Sequence, residues 1–203
     1  MKLTSFLFGL SLSFTALASC PDFDVPSNFK AKEALISIGT DVILFENKTR
    51  IGDIQERTLR LTPTFDLYNI DGKKVAQARQ KILSLGSTIE VKDCEGKLIG
   101  TVRENIFKSF FSTYSNYDVL DASGKIIATS EKVELLATQL IVKSKKGELL
   151  MTIKRPMINV LTDTWTVNIV KKDAIDPRIM TMMPAFKTSA DNRRREEEER
   201  KKK

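Results

Sequence analysis

Four stretches of the chain share one layout: FDLYNIDGKKVAQARQ, TIEVKDCEGKLIGTVREN, NYDVLDASGKIIATSEK and QLIVKSKKGELLMTIKRP. Each is an alternating or apolar run, then a polar turn containing glycine, then a second run with β-branched residues, which is the pattern of a β-hairpin. The turn glycines are Gly72, Gly96, Gly124 and Gly147, spaced by 24, 28 and 23 residues, so the units read as an up-and-down meander. The runs ALISIGTDVILFEN and ERTLRLTPTFDLY before them, and WTVNIVKKD after them, bring the expectation to about ten to twelve strands between residues 34 and 171. So many antiparallel strands cannot lie flat with open edges. They close into a barrel or fold into a sandwich.

The stretch that follows, DAIDPRIMTMMPAFKTSADN, breaks the alternation. Asp176 suits a helix cap and Pro177 the first helical position, where its missing N–H is not needed. The apolar residues Ile179, Met180, Met182, Met183, Ala185 and Phe186 wrap most of the way around a helix over about 177–190. A helix apolar all round is a buried one. It is too short to cross a bilayer, which takes about 20 residues. A partner-binding amphipathic helix would instead carry a polar stripe, and none is visible. Burial on all sides needs a cylindrical hole, and a barrel of about twelve strands offers one that its own side chains would not fill. Pro184 predicts a kink, at around 3 kcal/mol unless the wall accommodates it, or a helix in two short pieces.

Composition narrows the chemistry. The chain has 203 residues, no histidine and two cysteines. Imidazole-dependent triads and histidine-containing zinc sites are excluded, and two thiols cannot make a four-thiolate site. No phosphate-cradling loop, dinucleotide fingerprint or telling carboxylate pair appears, so neither enzymatic activity nor a cofactor is expected. The formal charge is +7, but Lys2 and the terminal NRRREEEERKKK carry most of it, leaving about +3 on residues 20–192. A nucleic-acid partner is not implied. The tail 193–203 reads as a solubilising extension that can continue as a helix through Glu-to-Lys or Glu-to-Arg pairs four residues apart.

The first twenty residues read as an address. MKLTSFLFGLSLSFTALASC has a lysine, an apolar run and then small residues, the plan of a secretory signal over 1–19. Leu17-Ala18-Ser19-Cys20 resembles the bacterial lipobox, which makes Cys20 the candidate lipid-attachment residue. The alternative is ordinary cleavage after Ala18, which leaves Cys20 free to pair with Cys94. Residues 20–33 read as a linker, and 34–192 as the folded body. Asn47-Lys48-Thr49 matches a glycosylation triplet of the kind that arises by chance.

The hairpin series YDVLDASGKIIATS and IVKSKKGELLMTIKRP, followed by WTVNIVKKDAIDPRIMTMMPAFKTSADN, resembles the C-terminal domain of the Tubby superfamily, in its LURP-one-related and phospholipid scramblase-like branch. The resemblance implies a mainly β fold, a closed antiparallel barrel of about twelve strands around a buried C-terminal hydrophobic helix. It also implies phospholipid headgroups as partners, and with the signal-like leader and Cys20 this gives an exported, lipid-anchored protein of the cell envelope acting at a membrane surface. The other reading is a structural envelope lipoprotein holding a protein partner. Candidate ligand-binding residues are the basic groups near the last strands: Lys143, Lys145, Lys146, Lys154, Arg155, Lys171 and Lys172. The lysines that follow glycine at Lys73, Lys97 and Lys125 read as solvated turn residues.

Overall fold

A computed structural model describes residues 19–34, 39–57, 62–83, 86–105, 116–132, 139–156 and 164–202. The signal-like residues 1–18 lie outside them. Twelve strands form one closed antiparallel barrel in which each strand pairs with its sequence neighbours and β1 pairs with β12. They are β1 (Asn28–Glu33), β2 (Val42–Glu46), β3 (Thr49–Glu56), β4 (Thr64–Asn69), β5 (Lys74–Leu83) and β6 (Gly86–Asp93). The second half comprises β7 (Leu98–Asn105), β8 (Asn116–Asp121), β9 (Ile126–Lys132), β10 (Gln139–Ser144), β11 (Leu149–Lys154) and β12 (Thr164–Ile169). A short 3-10 turn, Lys172–Ala174, leads into helix α1, Pro177–Lys202.

The meander expectation holds, with one correction. Residues 28–33, read as linker, form β1, which closes the barrel by pairing Asn28 with Asn168 and Glu33 with Val42. The sequence NFKAKE is polar at every second position and hides the pattern, yet Phe29 and Ala31 are buried. Without this strand β2 and β12 would both present open edges.

Four hairpin turns are built identically. Asn69, Asp93, Asp121 and Ser144 each end a strand, and each side-chain oxygen accepts from the backbone N–H two and four residues on, over 2.8 to 3.2 Å. The glycine three residues later takes φ between +72° and +88°, a left-handed conformation that side chains disfavour. In each, the ladder slips by one residue just before the turn, a bulge that lets a type I turn join twisted strands. In the β2–β3 turn Asn47 takes the left-handed role at φ +55°.

All five turns, the end of β12 and the start of α1 lie at one end of the barrel, the entry end. Asp176 starts the helix as expected: its carboxylate accepts from the Arg178 N–H at 2.9 Å, and its carbonyl from Ile179 N–H at 3.0 Å. From Ile179 to Phe186 every residue is buried. Phe186 meets Phe65 edge-on, with ring centroids 5.4 Å apart. Gly100 of β7 makes room for the rod, because a Cβ there would stand 2.5 Å from Ile179 Cδ1. Pro184 does not divide the helix, which is continuous through it over 26 residues. The helix runs past residue 190, so the tail 193–202 extends it beyond the opposite, exit end, and the tail's described side chains from Arg195 onward are exposed.

Candidate functional site

The barrel interior is not a ligand chamber. α1 runs through it, and among the described residues a void beside Met183, Phe186 and Leu140 measures about 10 Å³, the lower limit of what one water needs. Recognition therefore falls to the outer surface and the two ends.

The seven basic residues proposed from the sequence divide between those ends. Lys145 and Lys146 are exposed in the β10–β11 turn, and Lys171 and Lys172 follow β12, so these four meet at the entry rim. Lys171 pairs with Glu148 at 3.0 Å, which holds the Glu148 carboxyl below its usual range. Lys172 reaches Asp24 at 3.5 Å. Lys143 pairs with Glu131 on the outside of β9 and β10. Lys154 and Arg155 end β11 at the exit rim, the length of a strand away.

Arg155 is a structural residue. Its guanidinium lies 4.8 Å from the centre of the Trp165 ring and 3.2 Å from the Asp191 carboxylate, which also pairs with Lys187. The Trp165 indole N–H donates to Thr188 Oγ1 at 2.8 Å in a fully buried contact. Asn192 donates to Glu33 at 2.8 Å, and Ser189 faces Glu56 at 3.4 Å. These bonds form a polar collar where the helix leaves the barrel. Trp165 and Thr188 passed unnoticed in the sequence because they are 23 positions apart in runs of ordinary appearance.

The entry rim gathers further lysines, among them Lys73, Lys97 and Lys125, which the sequence gives as solvated turn residues. Lys48, Lys73, Lys97 and Lys125 occupy the remaining turns. Lys48, Lys73, Lys97 and Lys145 form no ion pair among the described residues. Acidic groups share the rim: Glu46, Asp71, Glu95, Glu148 and Asp173. Its net charge is consequently low. Among the described residues no group of acidic, cysteine or histidine side chains is arranged to hold a metal ion.

Cys20 is bonded to Cys94, with Cα atoms 5.6 Å apart. This is the pairing that the sequence offers as the alternative to lipid attachment at Cys20, and the two are mutually exclusive because each uses the same sulfur. The bond has a topological consequence. The β6–β7 turn lies halfway around the ring from β1, so residues 20–27 cross the entry mouth as a strap. Val25 in the strap is buried, and Ser27 accepts from Ile169 N–H at 2.7 Å. An open cleft of about 630 Å³ beside the strap is lined by Asp24, Ser27, Glu46, Asn47 and Lys172, a mixed set with no preference for one sign of charge.

A family model described as LURP-one-related matches residues 74–188, more than half of the chain. An Arabidopsis thaliana protein solved by X-ray crystallography is similar in structure, with a TM-score of 0.56 and 13% identity over 81% of this chain and 91% of that one. At that identity the likeness is one of fold. No curated protein matches.

Proposed function

Because the chain belongs to the LURP-one-related family and has a Tubby-like barrel, we propose that it is an exported, non-enzymatic barrel that works at a membrane surface through anionic phospholipid headgroups. The observation that carries the reading is the gathering of Lys145, Lys146, Lys171 and Lys172 on one rim of a barrel with α1 running through its interior. Lysine ammonium groups suit headgroup phosphates and carboxylates, and each near an anionic leaflet adds about 1 kcal/mol of attraction. Export is supported by the signal-like leader and by the Cys20–Cys94 bond, which persists in oxidising compartments.

A structural spacer for a protein partner would be favoured by an apolar patch on the barrel wall. Among the described residues the exposed large hydrophobics lie on the entry rim instead. The test is co-sedimentation of the oxidised chain from Ser19 with neutral and anionic liposomes at low and moderate salt. Salt-sensitive capture by anionic vesicles is expected, weakened by reversing Lys145 and Lys146 to glutamate. No binding to either vesicle overturns the reading.

A further inference from the structure

Three large hydrophobic residues among those described are more than a third exposed: Ile70 at 59%, Val170 at 49% and Leu149 at 39%. All three are at the entry rim, in the β4–β5 turn, at the end of β12 and at the start of β11. Single exposed hydrophobics need no explanation, but three on the same rim of a barrel do.

Turn chemistry does not explain Ile70. It follows Asn69 in one of the four identical turns, where the same position elsewhere holds Cys94, Ala122 and Lys145. Cys94 is used by the disulfide and the other two are ordinary turn residues. A β-branched apolar side chain gains nothing there from the fold. The turn is nonetheless held firmly, since Asn69 Oδ1 accepts from the N–H groups of Asp71 and Lys73.

We propose that the entry rim is the membrane-contacting face, with Ile70, Leu149 and Val170 seated at the acyl boundary of an anionic bilayer and the barrel axis standing along the membrane normal. The proposal rests on the membrane-surface reading above and assigns that reading a face and an orientation. Around the ring, the β4–β5 turn stands nearly opposite the β11–β12 edge, so the apolar points straddle the mouth rather than forming one patch. A protein partner needs a compact surface of about 800 Å². Points spread around a rim suit a planar, deformable surface. Lysines lie between them at Lys48, Lys73, Lys97, Lys125, Lys145 and Lys146. With acidic groups interspersed, electrostatic attraction alone is modest and the apolar contacts decide retention.

The test compares the oxidised chain with Ile70→Asp, Val170→Asp and Ile70→Trp on vesicles of phosphatidylcholine alone and with phosphatidylserine. Each aspartate is expected to weaken partition into the anionic vesicles roughly tenfold, with thermal unfolding unchanged. Ile70→Trp is expected to show blue-shifted emission and quenching by brominated acyl chains, against the constant signal of buried Trp165. Binding that is indifferent to both aspartates, with unquenched emission from Ile70→Trp, overturns the inference and leaves the membrane reading standing. Failure of the unsubstituted chain to bind either vesicle overturns both.

Discussion

The two ends of the barrel are held by opposite means. At the entry end each hairpin turn closes on itself, through oxygens that accept from N–H groups two and four residues away. At the exit end the partners are remote: Trp165 and Thr188 are 23 residues apart, Ser189 and Glu56 are 133 apart, and Asn192 and Glu33 are 159 apart. Local bonds form in any context that permits the turn. The collar forms only when the helix is already inside the barrel, so it serves as a check on that packing. The only long-range covalent tie, Cys20–Cys94, is at the entry end, where non-local bonds are otherwise few.

The collar should be the most sensitive place in the molecule. Trp165→Ala removes the buried ring, its bond to Thr188 and the support under Arg155, and is expected to destabilise by about 3–5 kcal/mol in urea unfolding. A loss under 1 kcal/mol would mean that the exit end does not depend on the collar.

Next in size is the strap. Replacing Cys20 and Cys94 together by serine opens a crosslink between residues 74 apart, with an expected loss of about 2–4 kcal/mol. Native-state emission from Trp165 should be unaltered by this change. A shifted spectrum would show that the two ends are coupled through α1 and break the comparison.

Gly100→Ala tests the wall between the ends. The added methyl would meet Ile179 and the Leu120 carbonyl, and overpacking of this kind costs about 1–3 kcal/mol. Gly124→Ala, in a solvent-exposed turn with open space around it, is strained only through its φ of +83°, and about 1 kcal/mol is expected. An equal loss at the two positions would deny the distinction between local and tertiary demands, and calorimetry of the pair decides it.

The smallest effect is electrostatic. Asp41 lies near the exit, where burial raises its carboxyl above the usual 3.8 despite the bond from Glu56 N–H. The native state therefore binds this proton more tightly than the unfolded chain. The charge works against stability at neutral pH, and that penalty fades as pH falls through the raised pKa and is gone below about 3.8. Asp41→Asn keeps an acceptor and should raise the melting temperature slightly at neutral pH and not in acid. A gain that persists in acid would assign the effect to packing.

Much of this architecture was legible in advance because its signals are local. The Asn/Asp/Ser-to-glycine turns announce hairpins, and Asp176-Pro177 followed by an apolar stretch announces a buried helix. β1 was missed because NFKAKE carries only two buried side chains, and its role as the closing strand is set by partners 9 to 140 residues away. The row of basic residues was half legible. Sequence proximity put Lys154 and Arg155 beside Lys143, but a β-strand carries its two ends to opposite rims, and Arg155 turned inward to Trp165 and Asp191.

The sequence by itself determined the strand-turn rhythm, the helix and the absence of imidazole chemistry, since each depends on backbone preferences and residue types within a few positions. Tertiary structure alone decided which lysines share a rim, that Ile70, Leu149 and Val170 join them, and that Cys20 reaches Cys94 across the mouth. Those relations follow from barrel closure, which sets distances between residues far apart in the chain, and no local preference encodes them.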